Sequence, residues 1–361
     1  EGEQRAFALG NRGPIRSDAD GNLDPDILEA YGRCGFYIFE GVLAADELDD
    51  IERDVADMLE RAPVTKGAEI DRQGRPALGV GHEGRNVVWV KPLSDPIGGT
   101  DASYGRHPAK MQELEPPIEA PEFIPQLVLG SLQFSDACLR VYGHPQLLGV
   151  AAAINGEDFT PFNEAVWIKH PGLGGSVAWH QDGWTHWQSP DLDDGTHGFN
   201  FMAQLYGCTP ANGLWVVPGS HKGKADIKAM VAAAGSDRLP DAVPVVCDPG
   251  DVVICNRQAI HGSFANTSPD VRVTINFGFH RRASILGVTS GGVHNEVAVY
   301  DDERIRERSR LIGYAIDARR QRFPDETPYT YQPFVGQEAA YRWTPEAKVG
   351  LKDYNLQDLG I

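Results

Sequence analysis

The sequence predicts a mainly β fold with flanking helices and a jelly-roll core, and three observations carry that prediction. From about residue 160 to 282 the chain passes through short β-branched and aromatic runs, each closed by Gly or Pro. Helical patterns flank this region on both sides. Within it, strands do not alternate with helices, which argues against a parallel α/β sheet.

Taken in order, DPDILEAYGRCG (24–35) reads as a short helix closed by glycine, and Phe36-Tyr37-Ile38-Phe39 as a strand. In LAADELDDIERDVADMLERA, residues Leu48, Ile51, Val55, Met58 and Leu59 recur at helical spacing, with acids crowding the first turn. Residues 63–125 are rich in Gly, Pro and charge around one β-like run, Asn86 to Val90, and read as a lid-like loop region. Residues 126–153 read as helical. The strand candidates follow: FNEAVWIKH, SVAWHQD, FNFMAQLYG, LWVVPG, VPVVC, DVVICN and VRVTINFGFH. A charge-dense helix follows Asp301, and the last forty residues form an aromatic-bearing tail without readable pattern. The expected organisation is one domain over 1–361: helix-strand-helix at 25–62, lid at 63–125, core at 160–285, and C-terminal helix and tail at 300–361.

A chain of 361 residues with 41% hydrophobic content can bury a sizeable core. Its 51 acidic against 33 basic residues give a formal charge of -18, which disfavours nucleic acid and anionic membranes as partners. A small-molecule substrate is the expected partner. Five scattered cysteines show no C-x-x-C spacing and fit free thiols in a reducing compartment. No apolar run approaches the ~20 residues of a membrane span, and the first residues lack a hydrophobic signal segment. The expected location is therefore cytoplasmic, although a chain that starts at Glu1 could have lost an upstream piece.

Gly79-Val80-Gly81-His82-Glu83-Gly84 matches G-x-G-x-x-G literally, yet it lies between a loop and a strand instead of between a strand and a helix. It reads as loop chemistry. The serine-hydrolase elbow and H-E-x-x-H are both missing. His180-Gln181-Asp182 directs an imidazole and a carboxylate to one side of a strand. His294-Asn295-Glu296 has the same form but no histidine downstream of it. His180 and Asp182 do have a downstream partner in His261, followed by Gly262-Ser263 and the alternating strand Val271 to Phe277. Two imidazoles and one carboxylate on one face of a metal leave adjacent positions open, the arrangement of non-haem Fe(II) oxygenases. Arg272 and Thr274 point to one side of their strand, and Val271, Val273, Ile275 and Phe277 to the other. An inward arginine there calls for a buried anion.

These residues resemble the phytanoyl-CoA hydroxylase-like (PhyH) family of Fe(II)/2-oxoglutarate dioxygenases. The matching pieces, in order, are Tyr31 to Leu43, Lys169-His170-Pro171-Gly172, His180-Gln181-Asp182, Asn212 to Lys222, Pro249 to Val253, and His261-Gly262-Ser263 with Asn266, Ser268 and Arg272. The resemblance implies a double-stranded β-helix, cupin-like core. It also implies Fe(II), 2-oxoglutarate and O2 as cofactor and co-substrates, with His180, Asp182 and His261 as iron ligands. Arg272 would bind the distal carboxylate of 2-oxoglutarate, with Ser263 as helper and Thr274, Thr185 and Lys169 as further candidates. The sequence departs from the family where Tyr206-Gly207 replace an acidic pair before the T-P-x-N-G turn. The implied activity is hydroxylation of a small-molecule metabolite or natural-product intermediate, with release of succinate and CO2. Desaturation, cyclisation or epimerisation would use the same site, whereas Asp182 disfavours a halogenase. Two other classes stay open: a non-redox jelly-roll metalloenzyme with Zn or Mn, which gives Arg272 no role, and a silent binding module, which gives an intact triad no role.

For substrate contact, Trp184, Trp187, His186 and Arg281 are the candidates, and the substrate determinants are expected in the 63–125 segment and the C-terminal tail. His170 and His221 read as fold features and His197 as a loop histidine. Trp167 and Trp179 read as core, and Arg282 as a solvated strand end.

Overall fold

The computed structural model describes residues 1–182, 198–291 and 297–358. Twelve strands form two sheets: β1 (Arg12–Gly13), β2 (Phe36–Phe39), β3 (Val87–Val90), β4 (Ile124–Leu129), β5 (Thr160–Lys169), β6 (Val177–His180), β7 (Gly198–Gln204), β8 (Trp215–Val216), β9 (Val243–Pro244), β10 (Val252–Asn256), β11 (His261–Ser263) and β12 (Arg272–His280). The larger sheet has the order β1-β2-β10-β7-β12-β5-β4-β3 and the smaller β6-β11-β8-β9. From β5 onward the chain passes from large to small sheet and back, with β8 and β9 successive in the small one. The mainly β expectation with flanking helices is met.

Alternation along the central strands determines what each face does. Val166 and Ile168 of β5, Phe199 and Phe201 of β7, Val252 and Ile254 of β10, and Val273, Ile275 and Phe277 of β12 pack into one core. The helices Ala45–Glu60, Asp136–Tyr142, Pro145–Asn155 and Asp302–Arg322 bury Ile51, Val55, Leu139, Leu148, Ile312 and Ala315 in the same core. Their apolar stripes match the sequence periodicity. The other strand face is left with Asn163, Lys169, Asn200, Gln204, Arg272 and Thr274, all buried.

The helical reading of 126–153 is wrong at its start. Ile124–Leu129 is a strand, paired with β3 on one side and β5 on the other. Leu127, Val128 and Leu129 suit either a helix or a buried strand, and an available sheet edge decides between them. Helices follow only from Asp136, capped by Ser135.

The tail after Arg322 closes the outer face of the helices. The Phe334 and Tyr341 rings stack 4.2 Å apart, and the Tyr331 hydroxyl donates to the Phe159 carbonyl at 2.6 Å. Arg308 and Asp358 form a buried pair whose second contact is 2.6 Å. The Tyr354 hydroxyl and both the backbone N–H and hydroxyl of Ser131 donate to Glu164, the one acid on the apolar face of β5. The aromatic residues of this tail, where substrate determinants were expected, pack against the Asp302–Arg322 helix. No helix among the described residues is long and apolar enough to cross a membrane.

Burial pushes the Glu164 carboxyl up to about 7 from its ordinary 4.5, against the hydrogen bonds from Ser131 and Tyr354. The folded state therefore holds a proton that the unfolded chain has released. Stability should fall as pH rises from about 4.5 through about 7, by up to ~3 kcal/mol from this group. In urea unfolding between pH 5 and pH 8, Glu164→Gln is expected to remove that decline.

Candidate metal centre and adjoining cavity

Strand pairing brings the three donors of the sequence reading together. His261 of β11 is the direct cross-strand partner of His180 of β6, and their ring centroids lie 4.1 Å apart. Asp182 follows two residues after His180 and places one oxygen 3.4 Å from His180 Nε2 and the other 3.8 Å from His261 Nε2. All three are buried, with ligand atoms within 4.8 Å of one another.

Backbone carbonyls orient both rings in the same way. His180 Nδ1 donates to the Ala178 carbonyl at 2.8 Å and His261 Nδ1 to that of Ala259 at 2.9 Å, so each Nε2 faces the centre. Burial and the neighbouring His180 push His261 down to about 4, which keeps it a neutral donor near pH 7. Asp182 is fixed by its own N–H on the Arg257 carbonyl at 2.7 Å and by the Asn200 amide at 3.3 Å. A donor set of two neutral imidazoles and one carboxylate, converging on a point inside the protein, fits a divalent first-row metal ion.

Gly262 allows this convergence. A Cβ at that position would lie 2.9 Å from the Val177 carbonyl and 3.2 Å from Trp179, and β11 shifts register between His261 and Ser263. The H-G-S spacing thus lets β11 press against β6 while still turning Ser263 to the cavity wall.

That cavity, of about 100 Å³, joins the triad to Ser263, Arg272 and Thr274. Arg272 is buried, and its Nη1 donates to the Asn212 carbonyl at 3.2 Å while its Nε has no hydrogen-bond partner. Asn212 belongs to the T-P-x-N-G turn and closes it by accepting from the Thr209 N–H at 2.9 Å. Thr274 donates to Gln204 at 3.0 Å. Lys169 is the cross-strand partner of Arg272, and burial and that guanidinium together hold its amine well below the usual lysine range. Neither cation pairs with a carboxylate among the described residues. Lys169 is not among the residues lining the cavity, and its amine donates to the Phe264 carbonyl.

Arg281 directly follows the far end of β12, with its Nη2 directed to the Ile154 carbonyl at 3.5 Å, and is not among the described residues lining the metal cavity. Thr185, His186, Trp184, Trp187 and His197 lie outside the described residues, as does the His294-Asn295-Glu296 pattern. His221 accounts for itself structurally: it meets the Gly32 carbonyl at 3.1 Å and packs on Gly35, where a Cβ would be 2.5 Å from its ring. His170 ties β5 to β4 through the Pro125 carbonyl at 2.8 Å. Tyr206 points outward to Glu52 at 2.9 Å, so the departure from the family pattern leaves the cavity wall untouched there.

Arg106 and His107 were not legible as site residues. They reach the cavity from the 63–125 segment, whose two arms are pinned by the buried Asp95 carboxylate, accepting from Gly98 N at 3.0 Å and Met111 N at 2.8 Å. Arg106 Nη1 lies 3.2 Å from Asp182 Oδ1, an ion pair without hydrogen-bond alignment. The His107 ring packs 4.2 Å from that of His180. Burial by itself would raise the Asp182 pKa; Arg106 and the two imidazoles outweigh it and hold the carboxyl well below its usual range. The sole sequence signal was an Arg-His pair inside a long loop.

Residues 127–274 match the family model described as phytanoyl-CoA dioxygenase (PhyH), a span that contains the triad and Arg272. This segment is similar to the phytanoyl-CoA dioxygenase family. A curated relative, phytanoyl-CoA dioxygenase 1 of Oryza sativa subsp. japonica, is 33% identical over 113 residues, covering 28% of this chain and 38% of the relative. Among solved structures, EctD from S. alaskensis, solved with 2-oxoglutarate and 5-hydroxyectoine, is 18% identical with a TM-score of 0.50, over 75% of this chain and 82% of that one. AviO1 from Streptomyces viridochromogenes Tue57 is 22% identical with a TM-score of 0.48, over 70% of this chain and 92% of that one. For EctD the likeness is one of fold. Arg106 and His107 lie outside the matched span of 127–274.

Removing one member of a buried ion pair leaves the other uncompensated, at a typical cost of about 3–5 kcal/mol. Arg106→Gln should therefore destabilise the metal-free protein on that order. Mn(II) restores positive charge beside Asp182, so the rise in Tm on adding Mn(II) should be larger for the variant than for the parent; differential scanning calorimetry with and without the ion checks both.

Proposed function

We propose that this chain is an Fe(II)- and 2-oxoglutarate-dependent oxygenase that hydroxylates an unactivated C–H of a small organic molecule. The observation that carries the reading is a shared cavity: the His180, Asp182 and His261 donors and the uncompensated guanidinium of Arg272 open onto the same space. A metal site alone fits hydrolytic or redox chemistry. A buried cation without an acid beside it, backed by Lys169, calls for a dicarboxylate partner. The family match supports the same reaction type. The order β6-β11-β8-β9 facing β10-β7-β12-β5, with the chain alternating between them, supports a double-stranded β-helix as the core.

When bound, Fe(II) with 2-oxoglutarate and O2 supplies oxidative decarboxylation to succinate and CO2 coupled to oxidation of the substrate. The chain's own residues hold and orient. His180, Asp182 and His261 would hold the ion, and three protein donors would leave room for the co-substrate to bind beside them. Arg272 takes the distal carboxylate, and Ser263 stands beside it on the wall. Arg106 balances Asp182 from the 63–125 segment. None of these side chains is required as acid or base.

Anaerobic Fe(II) plus 2-oxoglutarate should give a weak visible charge-transfer band, and O2 should then release succinate. Arg272→Ala should raise the 2-oxoglutarate concentration for half-development of that band about 10- to 100-fold, as expected for a lost charged hydrogen-bonded contact. Asp182→Ala should abolish succinate release. Unchanged co-substrate affinity in Arg272→Ala would contradict the anion site, and normal turnover in Asp182→Ala would contradict the triad.

A further inference from the structure

Beside the metal cavity lies a larger chamber of about 620 Å³, formed by the inner face of β3, β4 and β5 and by the 96–106 segment. The two share Ile97, Arg106, Trp167, Val177 and Asn276 as walls, so a molecule in the chamber has a route to the triad. The chamber has the size of a small-ligand site, whereas the metal cavity has room for the co-substrate end only.

Two polar groups in this chamber have no partner. Gln126 and Asn163 are 5% and 4% exposed, and Gln126 Nε2 and Asn163 Oδ1 make no hydrogen bond. Buried amide atoms are rarely left so, because each costs about 1–3 kcal/mol unless something pairs with it. Gln126 is there because of a backbone irregularity. Val88 pairs with Leu127 and Trp89 with Pro125, so Gln126 is an extra residue in β4 and the bulge turns its side chain to the same side as Leu127. Asn163 reaches the chamber by ordinary alternation, on the same face of β5 as Ala165 and Trp167.

The remaining walls decide what kind of molecule fits. Trp167 supplies a flat surface and Val88, Val90, Leu127 and Leu129 an aliphatic one, on three adjacent strands. Among the described wall residues the charged ones are Arg85 and Asp101, both exposed at the mouth, and Arg106, which faces Asp182. Apart from Arg106, which is engaged by Asp182, the described walls offer an ammonium or carboxylate deep in the chamber no opposite charge.

We propose that this chamber is the substrate subsite and that it takes an uncharged, ring-bearing molecule, with a carbonyl or ether oxygen accepting from Gln126 and a hydroxyl donating to Asn163. The ring lies against Trp167. This rests on the oxygenase reading above, and it deepens that reading from a reaction type to a substrate class.

The test uses the full chain loaded with Fe(II) and 2-oxoglutarate and measures succinate release with O2 in the presence of single compounds. The neutral probes are a flavanone, a hydroxydecalone and a hydroxylated macrolactone; the charged ones are L-proline and butyryl-CoA. At least one neutral probe should stimulate succinate release and be oxidised, and the charged probes should not. For that probe, Gln126→Met and Asn163→Leu should each raise the half-stimulating concentration about tenfold or more while leaving unstimulated release and the charge-transfer band unchanged. Stimulation confined to the charged probes, stimulation by no neutral probe with the band intact, or unchanged half-stimulating concentrations in both variants would each overturn the proposal while the oxygenase reading stands. Absence of the band in the parent protein would instead strike the oxygenase reading.

Discussion

The structure depends on one constraint: the central strands of the larger sheet have two faces of opposite character, and both are buried. In β12, Val273, Ile275 and Phe277 meet the helices, while Arg272, Thr274 and Asn276 turn to the cavity. A sheet with one wet face would leave such polar residues in water. Here the second sheet and the 96–106 segment cover them, so each must find a partner in the protein or in a ligand. The site exists where that demand is unmet.

Charge sharpens the same point. Asp182 lies among His180, His261 and Arg106, and Arg272 lies near Lys169 without an ion-pair partner among the described residues. The cavity thus has a negative donor at one end, where a metal would sit, and unbalanced positive charge at the other. A molecule with a chelating end and an anionic end completes both. In the adjoining chamber the unmet groups are neutral amides, and the demand is for hydrogen bonds instead of charge.

Much of this was readable from short-range pattern. Arg272 facing inward follows from alternation along Val271 to Phe277, and the pairing of His180 with Asp182 on one face follows from their two-residue spacing. The helices at 25–34, 45–60 and 302–322 follow from periodicity and end signals. One reading went astray where local pattern was ambiguous: Leu127 to Leu129 joined a sheet edge. Lys169 was legible as near the co-substrate, yet its amine is held by the Phe264 carbonyl.

The sequence by itself determined which residues share a face, because side-chain direction along a strand repeats every two residues and needs no knowledge of neighbours. Tertiary structure alone decided which faces meet. The pairing of His261 with His180, the pairing of Arg272 with Lys169, the bulge that turns Gln126 inward and the delivery of Arg106 to Asp182 all join segments far apart in the chain. Strand register and the path of a long loop arise from contacts summed over the whole core, and no local pattern encodes them.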